Sequence, residues 1–311
     1  MRPLLALVLL AVLAALPASA AEPLAGRIWQ PATGDFITPD QLLAQAMRAD
    51  AVLLGETHDN PGHHALQAWV VRALAEAGRR PAVAFEMIDA DQQPQVDAWL
   101  AGHPGDAAGL GEAVAWDKRG WPDWAMYRPI AEAALKAGQP IISANLPRTP
   151  TREISRGQET PETAARLGLD KPLDQPVAEA MAEEIRAGHC NMLPESAVPA
   201  MVRVQRARDA SMAAAVAGLL ARPQGGTAVL IAGAGHVRAD RGVPVRLQAL
   251  APGRSVLAVG FVEVQPGEAE PADYAAHFGA ARLPFDAVWF TERTEREDPC
   301  GQMERHMRGK K

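Results

Sequence analysis

The sequence has few charged residues and no excess of basic ones. Only 22% of its 311 residues are charged, and 31 Lys and Arg against 37 Asp and Glu give a formal net charge of −6. A nucleic-acid-binding protein needs a basic surface, so this balance argues against that class. With 48% hydrophobic residues, a disordered chain, a coiled coil and a collagen-like fibre are also excluded. The composition predicts a globular protein with a large core.

Long hydrophobic runs are missing after the first residues. The apolar run over residues 4–16 follows Arg2 and precedes the small-residue sequence Ala18-Ser19-Ala20. It is shorter than the roughly 20 residues that span a bilayer, and this order of basic, apolar and small residues is typical of a secretory signal peptide. We therefore expect residues 1–20 to be removed near Ala20, leaving a soluble periplasmic or secreted protein.

Cysteine is scarce, since the sequence contains Cys190 and Cys300 and no other. The absence of a cysteine near the predicted cleavage site excludes a lipoprotein anchor there. In an exported protein, an even number of cysteines predicts a disulfide, here closing a loop of about 110 residues. Two unpaired thiols are the alternative.

Short apolar runs alternate with helical patterns along the chain. This alternation is typical of an α/β fold in which a mainly parallel sheet is flanked by helices on both faces. The predicted strands cover residues 26–30, 35–37, 51–54, 82–85, 141–144, 227–232, 255–264 and 285–291, and the main predicted helices cover 39–48, 61–77, 129–137 and 199–221.

Two segments interrupt the alternation, at residues 90–128 and 148–199. Both are rich in Pro, Gly and polar residues, and we interpret them as helical insertions that form a lid or small subdomain. The prediction is a single α/β domain over residues 21–291, followed by a charged, solvated tail at 292–311.

Chemically capable residues follow all four central apolar runs. Glu56 and His58 follow the first run, Glu86 the second, Asn145 the third and His236 the fourth. The carboxyl ends of parallel strands share one edge of the sheet, where sites form. We therefore expect these side chains to converge.

The two imidazoles and two carboxylates of His58, His236, Glu56 and Glu86 suit two kinds of chemistry. They can hold a divalent metal such as Zn, Mn or Fe, or act as general acid and base. Each alone is as easily a helix cap or a hydrogen-bonded core residue, but their correlated placement favours a site. Gly55 and Gly233 each stand three residues before a histidine, and we expect them to let the backbone turn sharply.

Further candidates lie in the predicted helices. His63 and His64 fall in the first turn of a helix, where a protonated imidazole is unfavourable. At least one should stay neutral or serve as a ligand; His64 is the stronger candidate and His63 is expected at the surface. Gln205 and Asp209 lie in the apolar stripe of a later helix, where they either bond to neighbouring backbone or, together with Asn145, hold the residues of the site in place from behind.

Aromatic residues are few, but three tryptophans lie close to one of only two tyrosines, Tyr127. Packing within a lid is one interpretation of Trp116, Trp121 and Trp124. The other is a flat apolar surface for a cofactor, with the phenol as a polar contact.

Six short motifs, in this order and strand context, resemble the ChaN-like haem-binding uptake family, which is similar to the Tiki/TraB peptidases and the erythromycin esterases. The resemblance covers about residues 27–265. The motifs are Leu54-Gly55-Glu56-Thr57-His58, Phe85-Glu86-Met87, Tyr127-Arg128-Pro129, Asn145, Gln205-x-x-x-Asp209-x-x-Met212-Ala213 and Gly233-Ala234-Gly235-His236-Val237.

The resemblance implies an exported haem-binding protein of iron acquisition, with a tyrosine as iron ligand, a homodimer around the haem and an outer-membrane haem uptake system as partner. Tyr127 matches the ligand best, with His64 as a further candidate. Arg128 and Arg148 would stabilise the phenolate or pair with the haem propionates. Members of the family are often lipoproteins, and this chain departs from that pattern.

The related enzymes imply an alternative, a metal-dependent hydrolase acting as peptidase or esterase. His58, His236 and one glutamate would hold the metal, while the other glutamate deprotonates water. In the esterases, a pair that matches Glu56 and His58 activates water. We expect haem binding, with hydrolysis as the alternative.

Overall fold

The structure, a computed structural model, describes residues 22–222 and 226–308, so the predicted signal peptide lies outside the described residues. These residues form one sheet of eight strands and twelve α-helices. The strands are β1 Ile28–Gln30, β2 Asp35–Ile37, β3 Ala51–Glu56, β4 Pro81–Asp89, β5 Ile141–Asn145, β6 Thr227–Gly233, β7 Val256–Glu263 and β8 Ala287–Thr291. The helices are α1 Pro39–Arg48, α2 Pro61–Glu76, α3 Gln93–Gly102, α4 Leu110–Ala113, α5 Trp124–Lys136, α6 Arg148–Ser155, α7 Pro161–Arg166, α8 Gln175–Gly188, α9 Val198–Leu220, α10 Ala234–Val237, α11 Val243–Leu250 and α12 Pro299–Arg308.

The sheet is mainly parallel, with the strand order β2-β1-β8-β7-β3-β6-β4-β5. All neighbours from β8 to β5 run parallel, while β1 pairs antiparallel with both β2 and β8. This confirms the predicted α/β fold. Because β6 inserts between β3 and β4, the carboxyl ends of these three strands lie next to one another.

Both faces of the sheet are buried. Val52 and Leu54 face a core layer with residues of α1, α2 and α5, whereas Ala51 and Leu53 face a second layer with residues of α9 and α11. Burial on both faces explains why the central strands read as continuous apolar runs rather than alternating ones.

Helix α5 begins earlier than the sequence predicts. The Asp123 side chain accepts a hydrogen bond from Ala125 N–H at 2.8 Å and caps the helix, which starts at Trp124. Pro129, the predicted first residue, lies inside the helix, where it donates no backbone hydrogen bond. The predicted boundary at Pro129 was therefore wrong.

The two inserted segments are helical, and the tail contacts the rest of the domain. Residues 90–128 and 148–199 contain helices and no strand. Most described residues of the tail are exposed, but Arg296 pairs with Asp59 and Glu263, and α12 follows. The predicted disulfide is confirmed: Cys190 and Cys300 are joined by an S–S bond of 2.02 Å. No helix in the described ranges is long and apolar enough to cross a membrane.

Candidate functional site

The sheet topology places Glu56, Gly233 and Glu86 side by side at the carboxyl edge. Glu56 ends β3 and is paired with Gly233, which ends β6. Glu86 lies in β4, where the pairing with β5 shifts register after Phe85. A register shift of this kind changes the direction of the side chains that follow it. Glu86 Oε2 accepts a hydrogen bond from Gly233 N–H at 2.7 Å.

Glu56 is buried and ionised. Its Oε1 accepts hydrogen bonds from the Tyr127 hydroxyl and from His58 Nδ1, both at 2.8 Å, while its Oε2 faces His64. Burial by itself would raise the pKa of Glu56, but the contacts with His58 and His64 lower it to about 2. The group is a carboxylate at any physiological pH.

His64 supplies the charge that this carboxylate needs. Its Nδ1 lies 3.1 Å from Gln67 Oε1 and 3.0 Å from Glu56 Oε2. Its Nε2 lies 2.8 Å from the carbonyl oxygen of His58. Each of these oxygens is an acceptor, so both ring nitrogens must donate and His64 is an imidazolium. Burial opposes that charge, but Glu56 outweighs burial and raises the pKa of His64.

His58 is the accessible imidazole of the cluster. Its side chain is 33% exposed, against 1% for His64 and 7% for His236. Nδ1 donates to Glu56, which leaves Nε2 facing Glu86 Oε2 at 3.9 Å. Burial by itself would lower the pKa of His58, but Glu56 and Glu86 raise it, and the net shift of the pKa is upward. The ring packs against Trp121, with 4.9 Å between centroids.

A second buried chain runs from Glu86 through His236 to helix α9. His236 Nε2 lies 3.3 Å from Glu86 Oε1, and Nδ1 lies 2.6 Å from Asp209 Oδ1 and 3.3 Å from Gln205 Nε2. Although burial disfavours its charge, the two carboxylates raise the pKa of His236 to about 10. The same contacts hold the pKa of Glu86 well below its usual range. Gln205 and Asp209 therefore both lie beside His236, although their role at the site stays a prediction.

Tyr127 is fully buried inside this cluster. Its hydroxyl donates to Glu56, and its ring lies 4.1 Å from that of His64 and 4.9 Å from that of Trp116. Burial, followed by the Glu56 charge, raises the pKa of Tyr127, so the phenol is held in its neutral form. Trp116 and Trp124 are also buried and pack as core, which is the lid-packing interpretation.

His63 has a structural role and is not at the surface as predicted. Its Nδ1 accepts a hydrogen bond from Thr57 N–H at 2.9 Å, so Nε2 carries the proton and donates to Thr291 Oγ1 at 2.8 Å. Burial lowers its pKa to about 4. This neutral imidazole in the first turn of α2 matches the expectation for a helix N-terminus.

Three predicted residues make no hydrogen bond or ion pair with the Glu–His cluster in the part of the chain that the structure describes. The Asn145 amide oxygen accepts only from its neighbour Leu146 N–H among the contacts of the described residues. Arg128 lies on the exposed face of α5, paired with Glu132 at 3.1 Å. Arg148 is exposed at the start of α6 and reaches the carbonyl oxygen of Lys118.

The two motif glycines provide space rather than unusual torsions. Neither Gly55 nor Gly233 has a positive φ, so the turn from β6 into α10 at Gly233 does not use the left-handed torsions that favour glycine. A Cβ on Gly55 would lie 3.0 Å from Ala234 Cα, so this glycine lets α10 pack on β3. A Cβ on Gly233 would lie 3.1 Å from His58 Nε2 and would fill the space beside that nitrogen.

The donor geometry does not support the predicted metal site. Within residues 22–222 and 226–308, no group of three or more His, Cys, Asp or Glu side chains is arranged to hold a metal ion. Both nitrogens of His236 face carboxylates as donors, and a protonated imidazole is not a ligand.

Sequence reasoning missed the charged residues that hold the loops of this edge. Arg119 in the first insertion pairs with Asp89 at the end of β4. Glu184 of α8 pairs with Arg241, in the loop after α10. Arg296 of the tail pairs with Asp59, next to His58. The partners are distant in sequence, so no local pattern marks them.

The fold and the cluster together define an α/β protein with a buried carboxylate–imidazole network at the carboxyl edge of its sheet and one accessible histidine. The family of haem-binding uptake proteins of the Tiki superfamily, ChaN, matches residues 42–247, more than half of the chain, so this protein belongs to that family. Membership supports haem binding and iron acquisition.

The chain is similar to several solved structures. ChaN of Campylobacter jejuni, which binds haem cofacially, matches with a TM-score of 0.65 at 22% identity, covering 84% of this chain and 95% of its own. The type III effector HopBA1 matches with a TM-score of 0.45 at 16% identity, covering 82% and 93%. A mutant erythromycin esterase, EreC, matches with a TM-score of 0.47 at 12% identity, covering 88% and 99%. No curated protein matches the sequence.

Proposed function

We propose that this protein binds haem for iron acquisition and that His58 is the iron ligand. The observation that carries the proposal is the state of His58: its Nδ1 donates to Glu56, its Nε2 makes no hydrogen bond to a described residue and lies 3.9 Å from Glu86, and its side chain is partly exposed. A histidine ligand whose other nitrogen donates to a carboxylate is a recurrent arrangement at metal centres, because the carboxylate fixes the tautomer and makes the ligand more basic.

The residues beside His58 fit a flat, apolar, anionic group. Trp121 offers an aromatic face next to the imidazole, and the missing side chain of Gly233 leaves space beside Nε2. Arg148 is exposed and contacts the segment just before Trp121 through Lys118, so we assign it to a haem propionate. Bound haem would supply the iron that the protein carries.

Ligation by Tyr127, the ligand predicted from the resemblance, stays a prediction. It requires the phenol to leave Glu56 and to ionise in a site where burial and that carboxylate raise its pKa. The second tyrosine, Tyr274, is equally buried, and its hydroxyl accepts from Gln265 N–H. These contacts favour His58 over either phenol.

Export, the homodimer around haem and the outer-membrane uptake partner also belong to the proposal. The Cys190–Cys300 disulfide is consistent with an oxidising compartment, and family membership supports a role in uptake.

A hemin titration followed in the Soret band tests the proposal with three variants. We expect a saturable change with wild type, Tyr127→Phe and His103→Gln, and its loss or displacement with His58→Gln. His103 is an exposed histidine stacked on Trp99 and serves as the matched control. If Tyr127→Phe abolishes the change and His58→Gln keeps it, the tyrosine is the ligand. No saturable change with wild type would refute haem binding.

A second candidate function is ester or amide hydrolysis, in which His58 acts as general base. The Glu56–His58 hydrogen bond favours it, since a carboxylate that orients an imidazole leaves Nε2 ready to accept a proton from water. We expect His58→Gln to lower hydrolysis of nitrophenyl esters by about a hundredfold or more. Equal rates in wild type and His58→Gln would remove this candidate.

A further inference from the structure

The charged tail after β8 is attached to the loop that carries His58. Arg296 Nε and Nη2 donate to the two carboxylate oxygens of Asp59 at 2.8 and 2.9 Å. The same guanidinium donates to both oxygens of Glu263, at the end of β7, at 2.8 and 2.6 Å. Asp59 directly follows His58, so this arginine holds the His58 loop from the outside.

Further hydrogen bonds extend the attachment. Asn60 Nδ2 donates to the carbonyl oxygen of Glu292 at 3.1 Å and to Glu263 Oε1 at 2.7 Å. Thr294 N–H donates to Glu263 Oε1 at 3.2 Å. Residues 292–300, which we term the tail strap, therefore run along the carboxyl edge and bind the loop at residues 57–60.

The far end of the tail strap is joined covalently to helix α8. Cys300 is bonded to Cys190, just after the last residue of that helix. Cys190 and its neighbour Asn191 both have left-handed backbone torsions, with φ of 56° and 55°. Residues other than glycine rarely adopt that region, and they persist in it where the surrounding structure holds them.

Helix α8 in turn holds the loop that carries His236. Glu184 Oε2 accepts from Arg241 Nη2 at 2.6 Å and lies 3.6 Å from Arg238 Nη1. Glu184 Oε1 also lies against Gly235, since a Cβ added there would be 2.9 Å from it. The same helix is thus in contact with the residue that precedes His236.

We propose that the Cys190–Cys300 disulfide is a redox latch on the Glu–His cluster. One covalent unit, α8 plus the tail strap, clamps the His58 loop through Arg296 and the His236 loop through Glu184. A dithiol reductant would transfer two electrons and two protons: the S–S bond breaks, two cysteine thiols form, and the reductant becomes a disulfide. The ion pair that joins the strap to the His58 loop, Arg296 with Asp59, is partly exposed and weak on its own, and with the covalent link broken both loops then open.

Breaking a disulfide that acts as a latch has a different effect on hydrogen exchange from breaking one that only stabilises the whole domain. A disulfide that only restricts the unfolded chain stabilises the whole domain, and its loss accelerates exchange wherever exchange requires global unfolding. A latch changes local opening, so its loss acts on the clamped loops and spares the central strands.

Hydrogen exchange measured by mass spectrometry on the full mature chain distinguishes local opening of the loops from loss of stability of the whole domain. The states compared are the oxidised protein, the protein reduced with dithiothreitol, and the double variant Cys190→Ser with Cys300→Ser. We expect residues 55–60 and 233–241 to exchange on the order of tenfold faster in the last two states, with β3 and β6 unchanged. Unchanged loops, or equal acceleration in loops and strands, would overturn the proposal.

Two variants of the oxidised protein test separately the two contacts that hold the loops, Arg296 with the His58 loop and Glu184 with the His236 loop. Arg296→Gln should accelerate exchange only in the His58 loop, and Glu184→Gln only in the His236 loop. Arg305→Gln, which removes an exposed ion pair with Glu297 in the tail, is the matched control and should change neither. If Arg296→Gln and Glu184→Gln behave like the control, the clamp is refuted. None of these measurements uses haem, so their result does not depend on the proposed function.

Discussion

The Nδ1 atom of His64 lies 3.0 Å from Glu56 Oε2, and these two groups form a buried pair of opposite charges. Because His64 already neutralises Glu56, the hydrogen bond from His58 to the same carboxylate does not require His58 to be charged. The pair therefore determines what the accessible imidazole can do. A neutral His58 presents a lone pair at Nε2, and a protonated one does not.

His64→Gln should destabilise the protein strongly. Removing one partner of a buried ion pair leaves the other uncompensated and costs about 3–5 kcal/mol. His63→Gln is the matched control, because His63 is an equally buried but neutral neighbour whose loss costs about 1–3 kcal/mol. Chemical denaturation of both variants measures the difference. Equal losses would contradict the charge that we assign to His64.

In the same His64 variant, His58 should take over the positive charge beside Glu56. We expect its pKa to rise relative to wild type, as followed by nitrogen-15 chemical shifts of the imidazole. An unchanged His58 titration would show that the two histidines are not coupled through the carboxylate.

Stability should be greatest near pH 6.5. The pKa of His236 rises on folding from 6.5 to about 10, so its contribution is complete below pH 6.5 and is lost as pH rises towards 10. The pKa of His63 falls from 6.5 to about 4, so its contribution is lost as pH falls from 6.5 to 4. That of Glu56 falls from 4.5 to about 2, which extends the acid loss below pH 4.5.

Thermal unfolding of two variants across this pH range tests separately the alkaline limb, where stability falls above pH 6.5, and the acid limb, where it falls below pH 6.5. His236→Gln should flatten the alkaline limb, and His63→Gln should flatten the limb between pH 6.5 and 4. An alkaline limb that is unchanged in His236→Gln would contradict the imidazolium between Glu86 and Asp209.

The sequence predicted most of the fold because both faces of the sheet are covered, which leaves short apolar runs between helical patterns. The rule that sites form at the carboxyl ends of strands also led to Glu56, His58, Glu86 and His236. The charge of His64 and the direction of the Tyr127 hydroxyl were not predictable, since both depend on groups that only the folded chain brings together. The contact between Arg296 and Asp59 joins residues separated by 237 positions, and nothing in either local sequence marks it.

The two motif glycines should respond differently to alanine. In Gly55→Ala the new Cβ meets the backbone of Ala234 at 3.0 Å, and overpacking of this kind costs about 1–3 kcal/mol. In Gly233→Ala the contact is with the His58 side chain, which is partly exposed and can move. We expect Gly233→Ala to fold with near wild-type stability but to bind hemin more weakly, because the methyl group occupies the space beside Nε2. Wild-type hemin affinity in Gly233→Ala would contradict ligation through that nitrogen.

The side chain of Gln93 makes two hydrogen bonds along the outer edge of β5, and its removal should expose part of that edge. Gln93 Nε2 donates to the carbonyl oxygen of Ile141 at 3.1 Å, and Gln93 Oε1 accepts from Ser143 N–H at 2.7 Å. The amide thus makes the two hydrogen bonds that a further strand would make. Unpaired strand edges promote association between chains.

We therefore expect Gln93→Ala to lose about 1–3 kcal/mol of stability and to aggregate faster near its midpoint of thermal unfolding. Gln175→Ala, which removes an exposed contact with Glu179 on α8, is the matched control for loss of a glutamine side chain. Denaturation measures the first effect and light scattering during heating measures the second. If Gln93→Ala loses stability without faster aggregation, the side chain contributes hydrogen bonds but does not guard the edge, because β5 would then be shielded by the helices around it.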